Sequence, residues 1–120
     1  MLKGSCLCGA VAYQAGEVRD ASHCYCTMCQ KQHGAGAGSY ANVASDGFAW
    51  LRGAESVTEY ASSSEGRRGF CKVCGSTLTW RSTATPERIS VTLGTLEPAY
   101  TGAVQRELCT DTKPQWLPTS

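Results

Sequence analysis

Phe70-Cys71-Lys72-Val73-Cys74-Gly75-Ser76 is the stretch whose reading decides how this chain folds. A Cys-x-x-Cys run followed by glycine is a tight turn. Gly75 can take the positive φ that larger residues resist, backbone N–H groups point at the sulfurs, and both thiols face one point. Near the N-terminus, Cys6-Leu7-Cys8-Gly9 is its counterpart, because residues two apart on an extended segment share a face. Each stretch is a two-thiol pincer. Zinc takes four N or S ligands in a tetrahedron at about 2.0 to 2.3 Å, so Cys6, Cys8, Cys71 and Cys74 predict one closed structural zinc site joining distant parts of the chain. In small modules such closure carries an apparent binding free energy of about 10 to 16 kcal/mol.

Composition leads to the same place. The chain has 120 residues, 42% hydrophobic, 8% aromatic and 18% charged, which suits one domain spanning residues 1–120. A core of that size needs a supplement, and eight cysteines offer one. No secretory leader is read before Cys6 and no apolar run approaches the roughly 18 residues of a membrane span, so the expected compartment is the cytoplasm. Reducing conditions there keep thiols free as metal ligands, which favours metal over disulfides. Eleven Lys and Arg against ten Asp and Glu leave a formal charge of +1. That balance gives no field for a phosphate backbone or an anionic membrane surface, so neither nucleic acid nor membrane is an expected partner. Phosphate-loop, serine-elbow and paired-carboxylate motifs are absent from the sequence.

Cys24-Tyr25-Cys26 continuing to Cys29 is a different kind of group. Three thiolates can hold a second zinc and leave one position for water or substrate, the arrangement of a labile or catalytic site. Cys109, His23 or His33 could instead fill that position and make the site structural. A zinc carrying three thiolates is a poor generator of hydroxide but a good acceptor of another sulfur. The chemistry first inferred is therefore a small thiol adding to a carbonyl, or leaving from carbon.

Short β-branched or aromatic runs predict strands at residues 11–13, 39–43, 57–60, 77–80 and 89–93, mostly antiparallel. One helix of about two turns fits Cys26 to His33, with Gly34 as its C-cap. Trp50, Trp80, Trp116, Phe48 and Phe70 read as core anchors, Cys109 as a small buried side chain, and Arg67, Arg68 and Lys113 as solvated charges, with binding of substrate carboxylates as their alternative.

Four motifs, Gly4-Ser5-Cys6-Leu7-Cys8-Gly9-Ala10-Val11, His23-Cys24-Tyr25-Cys26-Thr27-Met28-Cys29, Arg68-Gly69-Phe70-Cys71-Lys72-Val73-Cys74-Gly75-Ser76 and Lys113-Pro114-Gln115-Trp116-Leu117, occur in an order that resembles the glutathione-dependent formaldehyde-activating enzyme family, which includes the zinc domain of centromere protein V. The resemblance implies a mainly β fold, a zinc-stabilised β-tent of short antiparallel strands. It implies the same division of ligands: Cys6, Cys8, Cys71 and Cys74 in a structural site, Cys24, Cys26 and Cys29 in a second one. It also implies carbon–sulfur lyase activity on an adduct of glutathione and formaldehyde. The expected partner is thus a small-molecule thiol, the expected cofactor zinc, two ions per chain, and a homodimer is compatible with the sequence. The alternative from another class is a non-catalytic, zinc-stabilised binding module with two structural zincs, which a capped second site and a flat surface would favour.

Overall fold

Backbone pairing between sequence neighbours builds most of the molecule, whose computed structural model describes residues 1–118. In chain order the elements are β1 (Leu2–Ser5), β2 (Ala12–Ala15), β3 (Asp20–Cys24), α1 (Thr27–His33), β4 (Gly38–Ala44), β5 (Ala49–Arg52), β6 (Val57–Ala61), β7 (Gly66–Cys71), β8 (Thr77–Ser82), β9 (Arg88–Thr92) and β10 (Arg106–Leu108). They form a three-stranded sheet, β1-β2-β5, and a seven-stranded sheet, β10-β3-β4-β9-β8-β7-β6. The mainly β expectation holds, and all five expected strands form, with Val11 just outside β2 and Leu93 passing into a 3₁₀ turn. The pairing is antiparallel except at one edge, where β10 runs parallel to β3. No helix among the described residues is long and apolar enough to cross a membrane.

The core lies between the sheets. Val11 and Tyr13 from the small sheet's side meet Ala41, Leu78 and Val91 from the large one, together with Cys6, Cys71 and Leu96. Tyr13 is fully buried, stacks on Phe48 at 5.6 Å between ring centroids, and meets Trp50 edge-on at 6.2 Å. Its hydroxyl is hydrogen-bonded to Thr95 Oγ1 at 2.7 Å, which satisfies the phenol inside the core. The expected aromatic anchors are only half-buried at Phe48, Trp50, Phe70 and Trp80, and Trp116 is 69% exposed. Buried aromatic volume comes from Tyr13, Tyr25 and Tyr40 instead; alternation turns Tyr13 of β2 into the core and Tyr40 of β4 to the opposite face of the large sheet from Ala41.

Helix α1 begins at Cys26, whose extended backbone and side-chain sulfur cap the Cys29 N–H. It ends at Gly34, in the left-handed conformation (φ 61°), whose N–H returns to the Gln30 carbonyl. That short helix delivers Cys29 to the same end of the sheet as Cys24, the last residue of β3.

Gly4 is buried where a Cβ would collide with the Tyr13 ring. Since Tyr13 is held by two aromatic neighbours and by Thr95, Gly4→Ala overpacks a site with little room to relax. The expected cost is about 1–3 kcal/mol in chemical denaturation; an unchanged midpoint would show that the ring is free to shift.

Candidate functional site

The first cysteine group is made by two turns. Cys6 follows β1, and Gly9, at φ 80°, lets its N–H return to the Cys6 carbonyl. Cys71 closes β7, and Gly75, at φ 83°, does the same toward the Cys71 carbonyl. A hydrogen bond from Leu7 N–H to Ser76 Oγ, 2.9 Å, docks one turn on the other. The sulfurs of Cys6, Cys8, Cys71 and Cys74 all lie within 4.8 Å of one another. Cys6 and Cys8 are separated by 3.6 Å, and Cys8 and Cys71, 63 residues apart in the chain, by 3.9 Å. A tetrahedron with metal–sulfur bonds of about 2.3 Å has edges of about 3.8 Å, so these four thiols fit one metal ion. The Ser76 hydroxyl and backbone N–H hold the Cys74 thiol down to about 5, a donor already inclined to the thiolate form.

Cys24, Cys26 and Cys29 make the second group, again with all sulfurs within 4.8 Å of one another. Against the opposing effect of burial, the Cys29 backbone N–H lowers the Cys26 thiol. Burial pushes the Cys29 thiol up to about 11, opposed by the Arg68 guanidinium beside it. Among the described residues no fourth His, Cys, Asp or Glu joins these three. His23 points away, its Nδ1 hydrogen-bonded to Ser39 Oγ at 2.8 Å. His33 is half-buried with its Nε2 2.8 Å from the Tyr40 hydroxyl, and burial and Arg68 keep it neutral at pH 7. Cys109 is exposed at positive φ, 56°, and not buried as its residue type suggested. It lies between the end of β10 and a short 3₁₀ turn and does not join the three-cysteine group.

A pocket of about 380 Å³ opens on the three-cysteine group and runs along one face of the large sheet. Its floor is a cross-strand row fixed by register: Asp20 opposite Asn42, Asn42 opposite Ser90, Ser90 opposite Trp80, and Trp80 opposite Arg68. Asn42 donates to Asp20, and the Ser90 hydroxyl donates to Asn42 Oδ1 at 2.6 Å, so the polar groups of this row are matched. At the cysteine end stand Tyr40 and Arg68, both buried. The Tyr40 hydroxyl lies 3.8 Å from Cys29 Sγ, and burial holds its phenol well above the usual tyrosine range. Arg68, expected in solvent, is only 3% exposed. Arg67, its neighbour, turns the other way and donates to loop carbonyls of Ser63, Ser64 and Gly66.

Alternation could have revealed this floor, since Asp20, Ser22 and Cys24 on one strand and Tyr40 and Asn42 on the next share a face. The pairing of those strands in space was not visible in the residues. Nor was the burial of Arg68 against Cys29: the motif around Cys71 leaves the arginine a surface charge or a binder of substrate carboxylates.

Residues 1–113 match the sequence profile of the family described as "Glutathione-dependent formaldehyde-activating enzyme". A Halomonas elongata protein named "Putative glutathione-dependent formaldehyde-activating enzyme" is 31% identical over 127 residues, covering 98% of this chain and 80% of its own. The crystal structure of a Rhodobacter sphaeroides protein superposes with a TM-score of 0.72 at 27% identity, covering 88% of this chain and 98% of that one. The profile match and the relative together establish that the chain belongs to the glutathione-dependent formaldehyde-activating enzyme family.

Proposed function

We propose that this chain is a zinc-dependent carbon–sulfur lyase acting on adducts of a small, glutathione-like thiol and a small aldehyde such as formaldehyde. The observation that carries this reading is the second cysteine group: three thiols with no fourth donor of their kind beside them among the described residues, opening into a pocket of about 380 Å³. A binding module with two structural zincs needs a capped group and a flat surface, and the pocket argues against it. On this reading Cys6, Cys8, Cys71 and Cys74 hold a structural zinc, and Cys24, Cys26 and Cys29 hold the second ion. Thiolate donors favour zinc over harder ions. When bound by three thiolates, zinc supplies a position at which a substrate sulfur is held deprotonated. The relative bearing the family's name lends the substrate class.

The chain's own residues then have definite work. Tyr40 and Arg68 are the polar donors at the cysteine end of the pocket, so an adduct oxygen brought there meets a hydroxyl and a guanidinium. In the forward direction the thiolate sulfur adds to the aldehyde carbon, the carbonyl pair moves onto oxygen, and that oxygen takes a proton. In reverse, the hemithioacetal hydroxyl gives up its proton as the carbon–sulfur bond breaks and the pair returns to sulfur. Burial keeps the Tyr40 phenol protonated, which makes it a hydrogen-bond donor to the developing oxyanion and not a base. Trp80 walls the pocket, and the Asp20–Asn42–Ser90 row orients the polar remainder of the substrate. A reducing compartment, the cytoplasm, keeps both thiol sets available.

Two variants separate the two metal sites. Serine at position 26 can still accept the helix-capping hydrogen bond, so Cys26→Ser is expected to lose one metal equivalent while the domain stays folded. Cys74→Ser removes a ligand from the site that joins β1 to β7 and is expected to cost several kcal/mol. Metal content and thermal melting check both; equal melting losses would contradict the division of roles. Activity is measured by NMR exchange between labelled formaldehyde and glutathione. Acceleration of at least about tenfold over the uncatalysed exchange, abolished in Cys26→Ser, is expected of a lyase. No acceleration with glutathione, cysteine or 2-mercaptoethanol would transfer the case to the binding module.

A further inference from the structure

Arg68 is the one charged side chain among the buried described residues. A guanidinium stays ionised at any pH a protein meets, and burying it without an anion is costly. Yet no Asp or Glu lies within ion-pair distance of it among the described residues. Its donors go elsewhere: Nη1 and Nη2 reach Cys29 Sγ at 3.5 and 3.6 Å, Nη1 reaches Gln32 Oε1 and the Tyr40 hydroxyl at 3.4 Å each, and Nε donates to Ser62 Oγ at 3.0 Å. Of these partners, only the sulfur becomes an anion when it ligates a divalent ion. The guanidinium also lines the pocket, so it faces whatever approaches Cys29.

We infer that Arg68 is a fixed counter-ion that lets the three-cysteine group accept an anionic fourth ligand, making it a positioning residue that selects thiolates over neutral donors. The inference rests on the reading that Cys24, Cys26 and Cys29 hold a divalent ion. Three thiolates more than cancel the charge of such an ion, and the surplus negative charge repels a further thiolate. A guanidinium held at hydrogen-bond distance from one of the sulfurs cancels the surplus. Because Arg68 is buried, that cancellation is stronger than at an exposed site. The incoming thiol gives its proton to solvent and its sulfur enters a site of balanced charge. Cys6, Cys8, Cys71 and Cys74 have no buried arginine among them and, already four, take no further ligand. The counter-ion thus stands only at the group where a fourth, charged ligand has somewhere to go.

The test uses the full chain loaded with cobalt under a non-thiol reductant, titrated at fixed pH with 2-mercaptoethanol and, separately, with imidazole as a neutral ligand. Absorption bands of the metal report both. In the wild type both are expected to bind. In Arg68→Met the affinity for 2-mercaptoethanol is expected to fall tenfold or more while that for imidazole changes less than about twofold, and Arg68→Lys should recover most of the loss. Because position 68 is buried, Arg68→Gln, which keeps polar contacts for Tyr40 and Gln32, is measured beside it and should behave as Arg68→Met does. Equal weakening of both ligands, or undiminished thiolate binding without the cation, would overturn the inference. A wild-type protein whose second cysteine group takes up no metal would instead sink the metal reading beneath it.

Discussion

Everything in this fold hangs on two turns meeting. The Cys6–Gly9 turn leaves the small sheet and the Cys71–Gly75 turn leaves the large one, and their four sulfurs converge to within 4.8 Å. The Leu7–Ser76 hydrogen bond reinforces the junction, and Cys6 and Cys71 are themselves members of the core cluster. Sulfur placement and core packing are therefore one problem. If the turns separate, Tyr13 loses the framework that fixes β2 against β9, and the pocket on the far face of the large sheet loses its backing. A small domain with few large aliphatic side chains gains most from a constraint of this kind, because it links segments whose closure is otherwise paid for only by modest burial.

How much of this was legible follows from what each element depends on. The cysteine turns were legible because their geometry is local: spacing and a following glycine suffice. So was α1, whose capping residues sit at both ends of its own seven residues. Strands rich in Val, Ile, Thr and Tyr also announced themselves. Five did not. β7, Gly66-Arg67-Arg68-Gly69-Phe70-Cys71, carries two glycines and two arginines, yet it is an interior strand of the large sheet. Gly69 is required there because a Cβ would collide with the Thr79 hydroxyl, a cross-strand fact that no local pattern encodes. β3, Asp20-Ala21-Ser22-His23-Cys24, takes its conformation from five register pairs with β4. The same holds for β10, three residues that pair parallel with β3. β1 and β5 complete the small sheet around β2. In each case tertiary pairing overrides weak β propensity.

Placement of the candidate site shows the same limit. Sequence spacing separated the thiols into a set of four and a set of three, and the structure brings the members of each set together. It could not say that His23 and His33 face other partners or that Cys109 is exposed, since that depends on where β4 and β10 lie. It also assigned Arg68 to solvent on the sound general ground that arginines are seldom buried. What overrode that rule is the adjacency of β7 to β8 and of β4 to α1, which surrounds one guanidinium with Cys29, Gln32, Tyr40 and Ser62.

Two sets of the same donor atom in one small chain can do different work only if their surroundings differ, and here they do. Around Cys74 the neighbours are a hydroxyl and backbone N–H groups, which favour the thiolate, and three further sulfurs that complete a set of four. Around Cys29 they are a buried cation, a phenol and a cavity. The first environment stabilises a closed set of four; the second stabilises charge while leaving space beside it. Identity of ligand atoms fixes what kind of metal each set could take. The protein's other contribution, the arginine and the open wall, determines whether anything beyond the protein can reach it.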